Sequence, residues 1–153
     1  MKRTSLHSTN CSIAQTLDVV GDPWTMLIVR DAFWGTTRFD AFRRSLGIPR
    51  ATLTTRLRTL LDHGVLEQRP LDDASSRSEY VLTPKGRDLG PLLVAMLQWG
   101  DKWSDLPQPP VTLVDATSDE PLDLGYVDRS TGRQLRDISV SRRINAAEQS
   151  PTG

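Results

Sequence analysis

The chain of 153 residues is poor in the residue types that build most reactive or metal-binding sites. It has one cysteine, Cys11, so a disulfide framework within the chain is excluded. His7 and His63 lack metal-ligand spacing to a partner, and no Ser/His/Asp, Walker or GxGxxG arrangement is present. No apolar run approaches the roughly 18 residues of a membrane span, and no apolar leader segment follows Met1. We therefore expect a cytoplasmic protein that is not an enzyme, has no cofactor and holds no metal.

Charge is balanced overall but unevenly distributed. The net charge is zero, yet residues 104–153 carry eight acids against five basic residues. Between residues 38 and 58, six arginines accompany one acid, Asp40, which gives a local charge of +5. The arginines are Arg38, Arg43, Arg44, Arg50, Arg56 and Arg58. A compact basic surface of this kind is typical of nucleic-acid binding.

The basic stretch contains two short amphipathic helices joined by a tight turn. Helical spacing of Phe39, Phe42 and Leu46 predicts a helix over residues 38–46, which Gly47 would end in a left-handed conformation. Pro49 suits the first turn of a second helix. That helix has one apolar stripe, formed by Leu53, Leu57, Leu60 and Leu61. The pattern predicts a helix-turn-helix.

The elements around this pair complete a winged domain. A helix over residues 12–20 precedes a helix over 23–34 that is apolar on most sides and therefore belongs in the core. Residues 65–70 and 78–82 are predicted as strands joined by a polar turn, which is the wing. Thr83 and Pro84 begin a long C-terminal helix that runs to about residue 103, with a kink expected at Gly90-Pro91.

The remaining segments are predicted more simply. Residues 1–10 are a flexible N-terminus, residues 11–105 form the DNA-binding and dimerisation domain, and residues 106–110 are a linker. Three weak strands, over 111–114, 122–127 and 134–140, predict a hairpin-like β extension over residues 111–140. Residues 141–153 are expected to be disordered, and no internal repeat is recognised. The fold class is mainly α (α+β): a winged helix-turn-helix with a long C-terminal dimerisation helix and a small C-terminal β extension.

Residues 11–103 resemble the HxlR family of bacterial winged helix-turn-helix regulators. The resemblance rests on several motifs in order: Cys-x-Ile-Ala at Cys11, Gly-x-x-Trp-x-x-x-Ile at 21–28 and Arg-Phe-x-x-Phe-x-x-x-Leu at 38–46. It continues with Leu-x-x-Arg-Leu-x-x-Leu at 53–60, Gly-x-Leu at 64–66 and Glu-Tyr-x-Leu-Thr-x-x-Gly at 79–86. The resemblance implies a homodimer that binds palindromic operator DNA. Some relatives end in a similar extension with cysteine pairs, which are absent here, so a metal-bound ribbon is disfavoured.

One position departs from the family pattern. The N-cap of the second basic helix is usually serine in such proteins, whereas this chain has Pro49. Proline offers neither a hydroxyl nor an N–H, so the usual phosphate contact at this position is in doubt. The neighbouring Arg50 could supply a charge instead.

The residues expected to contact DNA come from both basic helices and the wing. On the second helix, Ala51, Thr55 and Arg58 face away from the leucine stripe, and small residues there allow deep entry into a major groove. The first helix is expected to cross the backbone and position the protein. The predicted set is Arg38, Arg43, Arg50, Ala51, Thr54, Thr55, Arg58 and Arg77. The alternative for the helix residues is an ordinary solvated helix face.

Three other arginines are weaker candidates. Arg56 points sideways and is expected to pair with an acid, whereas Arg44 is either a backbone contact or a surface charge. Arg69 is favoured as a solvated strand residue. The wing turn also carries Asp72 and Asp73, which would repel phosphate unless they point away from DNA.

Effector binding is predicted at Cys11, Trp24, Met96 and Trp99. The positive end of a helix dipole stabilises a thiolate, so a cysteine at a helix start suits redox or electrophile sensing. The resemblance adds that several relatives sense quinones, aldehydes or oxidants through a cysteine at this place. Cys11 can equally be a small semi-buried residue without chemistry. The tryptophans and Met96 are either core or dimer-seam residues, or they line a site for an aromatic effector.

Two function classes follow from these features. The first is a transcriptional repressor that binds a pseudo-palindromic operator on double-stranded DNA as a homodimer. A small aromatic or electrophilic effector, or a redox signal, would release it. The second is a winged-helix module that binds effectors or proteins without reading DNA. The +5 cluster favours the first class, because a module that had lost DNA binding would not need it.

Overall fold

The computed structural model describes residues 10–71 and 77–143, which divide into two compact units, one ending at Leu106 and one beginning at Pro107. The predictions for the flexible N-terminus and the disordered tail fall almost entirely outside the described residues. The elements of the first unit, in chain order, are α1 (Ser12–Val20), α2 (Pro23–Phe33), α3 (Phe39–Leu46), α4 (Arg50–Asp62), β1 (Leu66–Pro70), β2 (Ser78–Leu82), α5 (Pro84–Arg87) and α6 (Gly90–Trp103).

Helix ends lie where the capping residues predicted them. Asp22 caps α2, since its Oδ1 accepts the backbone N–H of Trp24 at 3.0 Å. Gly47 ends α3 in the left-handed region, at φ 61°. Thr83 caps α5 by accepting the N–H of Gly86 at 3.1 Å. These three local signals fix the start or end of elements before any tertiary contact is considered.

The core of the first unit is built around α2, which packs against α1, α3, α4, β2 and α6. Ile28 and Val29 of α2 are fully buried and belong to one cluster with buried residues of α3, of the turn after it, of α4 and of the start of the wing. These are Phe42, Ile48, Leu53, Leu57, Leu60, Val65 and Leu66. The prediction that α2 lies at the centre is confirmed. Burial of each such side chain contributes about 1.5–3 kcal/mol.

The wing is an antiparallel pair whose register runs from Leu66 opposite Leu82 to Pro70 opposite Ser78. The N–H of Tyr80 donates to the carbonyl of Thr37 at 2.8 Å, which ties β2 to the segment just before α3. The Tyr80 ring packs edge-on against Phe42, with centroids 6.5 Å apart. The wing is therefore fixed to the start of the helix-turn-helix. Asp72 and Asp73 lie outside the described residues.

The C-terminal helix is broken where a kink was predicted. α5 and α6 are separate helices, and Asp88 and Leu89 lie between them. The N–H of Leu89 donates to Gly86 at 3.1 Å, a bond that tightens the end of α5. Pro91 has no N–H to donate four residues back to Arg87, so the ladder cannot continue across this point. The single long helix of the prediction is corrected to two.

The second unit lacks the three predicted strands. Within residues 107–143 the β structure consists of two isolated antiparallel bridges, Val114 with Pro121 and Val127 with Gln134. A short 3₁₀ helix covers Leu135–Asp137. Polar turn-forming residues recur so often here that each hairpin retains only one bridge. The β character of the extension is present, but continuous strands were the wrong expectation.

The two bridges enclose turns that repeat 13 residues apart, contrary to the expectation of no repeat. The N–H of Asp115 donates to Glu120, and the N–H of Asp128 donates to Arg133, both at 2.9 Å. The next hydrogen bond of each turn is also equivalent: the N–H of Leu122 donates to the carbonyl of Leu113, and the N–H of Leu135 donates to the carbonyl of Tyr126. Asp119 and Gly132 occupy the same left-handed position, at φ 60° and 71°. The extension is therefore a duplicated hairpin turn.

The first aspartate organises each turn with its side chain. Hydrogen bonds from the Ser118 and Thr117 N–H groups, together with the Ser118 hydroxyl, hold the pKa of Asp115 below its ordinary value. The Thr131 hydroxyl, followed by the Ser130 hydroxyl and N–H, does the same to the pKa of Asp128. Both carboxylates therefore act within their own turn.

No helix among residues 10–71 and 77–143 is long and apolar enough to cross a membrane.

Candidate nucleic-acid interface

Helix α4 separates a buried leucine face from a polar outward face. Leu53, Leu57 and Leu60 have at most 1% of their surface exposed. Ala51, Thr55 and Arg58 on the opposite side are exposed, as are Thr54 on the flank and Arg50 in the first turn. All five were predicted from the sequence. Between the two arginines lie only small side chains, so the backbone of α4 can approach a partner closely over about two turns.

The hydroxyls on this face are held by their own helix. Thr54 donates to the carbonyl of Arg50 at 2.9 Å, and Thr55 donates to the carbonyl of Ala51 at 3.0 Å. With the proton used internally, each hydroxyl presents acceptor lone pairs outward beside its methyl group. A hydroxyl in this state can accept from cytosine N4 or adenine N6, and a threonine methyl can contact a thymine methyl.

Arg50 is positioned by α3. Its guanidinium lies over the ring of Phe39, with the central carbon 5.0 Å from the centroid. Pro49 occupies the N-cap without a side-chain hydrogen bond, as its chemistry requires. Stacking therefore orients the first turn of α4. The charge of Arg50 follows directly after position 49, where the family pattern has a capping serine and this chain has proline.

Arg56 does not belong to the outward face of α4, because an ion pair holds it against α2. Its Nη2 lies 2.8 Å from Oδ2 of Asp22, and the arginine side chain is only 31% exposed. Asp22 thus caps α2 with one oxygen and holds α4 with the other. The expectation that Arg56 pairs with an acid is confirmed. Its role is to fix α4 against α2.

The arginines of α3 surround the turn. Arg38 is the N-cap of α3 and is half-buried, whereas Arg43 and Arg44 are exposed in the last turn of the helix. Since Gly47 turns the chain immediately afterwards, these last-turn charges lie close in sequence to the N-terminus of α4. Cations of both helices therefore flank the turn between α3 and α4 in the sequence.

The wing arginines differ from one another. Arg77 is exposed directly before β2, and its carbonyl accepts the N–H of Leu71 at 3.1 Å, which closes the described part of the wing. Arg69 instead donates from Nε to Glu67 at 2.8 Å on the same strand. That pair offsets the charge of Arg69, in agreement with its interpretation as a strand residue.

The four predicted effector residues lie in different environments. Cys11 is exposed and is the N-cap of α1 without a side-chain cap bond. Met96 and Trp99 are 51% and 67% exposed on α6, whereas Trp24 is half-buried against the core. A cleft of about 400 Å³ lies elsewhere, and its lining includes none of the four. The lining consists of Ser12, Gln15, Thr16, Val19, Val20, His63, Val65, Lys85 and Leu89.

A contact between α5 and the end of α4 was missed by the sequence reasoning. Lys85 Nζ donates to the carbonyl of His63 at 2.8 Å, and the Thr83 hydroxyl donates to the carbonyl of Gly64 at 2.6 Å. Gly86 is buried so tightly that an added Cβ would lie 2.2 Å from the carbonyl oxygen of Val65. The Thr-Pro-x-Gly spacing signalled a helix start but not this close approach.

The same residues match a known protein family. The HxlR-like helix-turn-helix family matches over residues 19–108, more than half of the chain. This chain belongs to the HxlR-like family. The match begins near the end of α1 and includes the helix-turn-helix, the wing and α6, so it covers the basic residues described above but not Cys11.

Individual HxlR-like relatives extend the comparison. The chain is 40% identical over 131 residues to Rv3095, an HTH-type transcriptional regulator of Mycobacterium tuberculosis, covering 85% of this chain and 83% of that protein. The crystal structure of PA1607, described as a transcription factor, matches with a TM-score of 0.80 and 44% identity, over 92% of this chain and 100% of that one. The reduced form of the redox regulator HypR matches with a TM-score of 0.57 and 32% identity, over 62% of this chain and 95% of that one.

These matches establish the class of protein. The chain is a transcriptional regulator of the winged helix-turn-helix type, and the relatives carry the names of regulators, not of enzymes. The match to PA1607 continues beyond Leu106, so the extension is shared with at least one solved relative.

Proposed function

We propose that the protein is a repressor that binds a pseudo-palindromic operator as a homodimer. The observation that carries the proposal is the outward face of α4, where two exposed arginines flank Ala51, Thr54 and Thr55. A helix of this kind enters a major groove, and arginine there reads guanine O6 and N7. A bound dimer would repress by occupying the promoter.

The contacts divide into base-reading and positioning groups. Arg58 and Thr55 lie in the middle of α4, where a helix in the groove meets base edges. Arg43 lies at the end of α3, which crosses the phosphate backbone. Arg69 is already engaged by Glu67 and contributes little. The three arginines therefore differ in the kind of effect that their removal would have.

Replacing Arg58 by alanine is expected to relax sequence preference at one base pair per half-site, at a cost of about 1–3 kcal/mol. Arg43→Ala should weaken all sequences equally and reduce the salt slope by about one per contact. Arg69→Ala serves as the matched control, with little change expected. The measurement is fluorescence anisotropy on the operator and on single-base variants across a salt series. Unchanged affinity and preference in Arg58→Ala would show that the face is assigned wrongly.

Two apolar stripes support the homodimer. On α6, exposed residues recur at Leu92, Met96, Trp99 and Trp103, which is one helix face, and no residue of α6 is buried. On α1, Ile13 and Leu17 are 71% and 47% exposed. Exposed apolar residues that line one face of each of two helices mark a protein interface. A two-fold dimer through α1 and α6 would also present two α4 helices to the two halves of a palindrome.

An electrophile or oxidant is proposed to release the operator through Cys11. The thiol is exposed and begins α1, one of the two helices assigned to the dimer interface. The likeness to the redox regulator HypR, at 32% identity, supports a redox signal. An adduct that favours a different spacing of the two α4 helices by about 1–3 kcal/mol lowers operator affinity fivefold to more than a hundredfold.

Cys11→Ser should abolish release by quinone, aldehyde or oxidant and leave release by a non-covalent aromatic ligand unchanged. Trp99→Ala should have the opposite effect, measured at a protein concentration at which light scattering shows the variant to be dimeric. Operator binding is measured before and after each compound, with the thiol adduct counted by mass spectrometry. Equal release of both variants by every compound would place the sensing site elsewhere.

A further inference from the structure

The duplicated turns of the extension carry opposite charge. The first, residues 115–123, contains four acids and no lysine or arginine; we call it the acidic turn. The second, residues 128–136, contains three arginines and one acid, Asp128; we call it the basic turn. Asp115 and Asp128 are used within their own turns, so they do not account for the difference. The same backbone is thus presented twice with opposite sign.

The opposition holds at two pairs of equivalent positions. Glu120 is equivalent to Arg133, and Asp123 is equivalent to Arg136, each pair 13 residues apart. All four side chains are exposed, and no ion pair within residues 10–71 and 77–143 involves any of them. Arg133 donates from one guanidinium nitrogen to the carbonyl of Asp137 at 2.6 Å, which leaves its charge and its other donors available.

Exposed apolar residues accompany these charges, again in equivalent pairs. Val114 and Val127 are 40% and 49% exposed, and Leu122 and Leu135 are 44% and 50% exposed. Each turn, together with the valine directly before it, therefore offers one valine, one leucine and two equivalent charges of one sign. An apolar centre with charged residues beside it is the usual composition of a specific protein interface.

We propose that the extensions of two copies pair with each other, the acidic turn of one copy against the basic turn of the other. A two-fold axis makes every contact twice, so one copy must carry both complementary surfaces. Two turns with one backbone and opposite charges meet that requirement. DNA is a poorer partner for the extension, because the four acids of the acidic turn would repel phosphate. This inference rests on the proposed homodimer and adds a second contact to the one through α1 and α6.

Charge reversal tests the pairing in the full-length protein. The variant E120R/D123R places arginine at all four of these equivalent positions, and R133E/R136E places an acid at all four. Each is expected to raise the dimer dissociation constant about tenfold, because like charges then face each other across the axis. A mixture of the two variants should form heterodimers of wild-type affinity, since one copy then has only arginines and the other only acids at these four positions. The fourfold exchange E120R/D123R/R133E/R136E should restore the homodimer.

The measurement is sedimentation velocity with one variant fluorescently labelled, at two salt concentrations, with thermal melting of each variant as the check on folding. Folded variants with wild-type dissociation constants would overturn the pairing and leave the α1 and α6 interface intact. The pairing would also be overturned if R133E/R136E lost DNA affinity, kept its dimer dissociation constant and did not regain DNA affinity when mixed with E120R/D123R. That result would assign the basic turn to DNA. If the charge variants dimerise more weakly while Trp99→Asp remains dimeric, the pairing is supported and the α6 interface is contradicted.

Discussion

Replacing Trp99 by aspartate is expected to convert the dimer into monomers that remain folded. Trp99 is 67% exposed in the single chain, so its removal costs the fold of one protomer little. In the proposed dimer it lies in the centre of the α6 stripe, between Met96 and Trp103, where a charge would be buried without a partner. Loss of a central tryptophan typically costs 2 kcal/mol or more, and the added charge raises the expected weakening to at least about a hundredfold.

The matched control is Trp34→Asp. Trp34 is also exposed, at 53%, but lies at the end of α2 and stacks on Arg30. The Trp34→Asp variant should remain dimeric. Light scattering at micromolar concentration and operator binding are measured together, because a monomer presents one α4 and should lose the advantage of the second half-site. A dimeric Trp99→Asp would refute the α6 interface.

Replacing Gly86 by alanine is expected to destabilise the first unit by about 3 kcal/mol, at the upper end of the usual range for overpacking. The added Cβ would lie 2.2 Å from the carbonyl oxygen of Val65 and 2.9 Å from a methyl of Leu82. The carbonyl cannot move freely, because it accepts the N–H of Thr83 at 3.1 Å. The base of the wing would have to separate from α5.

Gly47→Ala is the control for Gly86→Ala. Gly47 has φ 61°, and a Cβ there would meet nothing within 4 Å, so only backbone strain of about 1–2 kcal/mol is added. Free energies of unfolding from urea titration give both values. A smaller loss for Gly86→Ala than for Gly47→Ala would mean that α5 and the wing do not pack as described.

The sequence predicted those parts of the fold that are encoded locally. Asp22 with Pro23, Gly47, and Thr83 with Pro84 each fix an element boundary by the chemistry of one or two residues. The outward set on α4 followed from helical periodicity, because Leu53, Leu57 and Leu60 determine which side is buried. The same reasoning gave the sideways direction of Arg56.

Features that depend on contacts distant in sequence could not be predicted in this way. The stacking of Arg50 on Phe39 and the bond from Tyr80 to Thr37 join elements whose relative placement the sequence does not state. The repeat in the extension was missed for another reason. The two copies match in their turn residues and at positions with opposite charges, such as Glu120 and Arg133. A search for apolar periodicity detects neither kind of match.

The most direct test of the central claim is selection of DNA from a random duplex pool by the purified protein. The account predicts enrichment of a pseudo-palindrome whose half-sites lie one helical turn, about 10–10.5 base pairs, or a multiple of it apart. Arg58→Ala should lose preference at one symmetric pair of positions. No enriched sequence, or an unsymmetrical site unaffected by Arg58→Ala, would contradict the account that α4 reads DNA in a two-fold dimer.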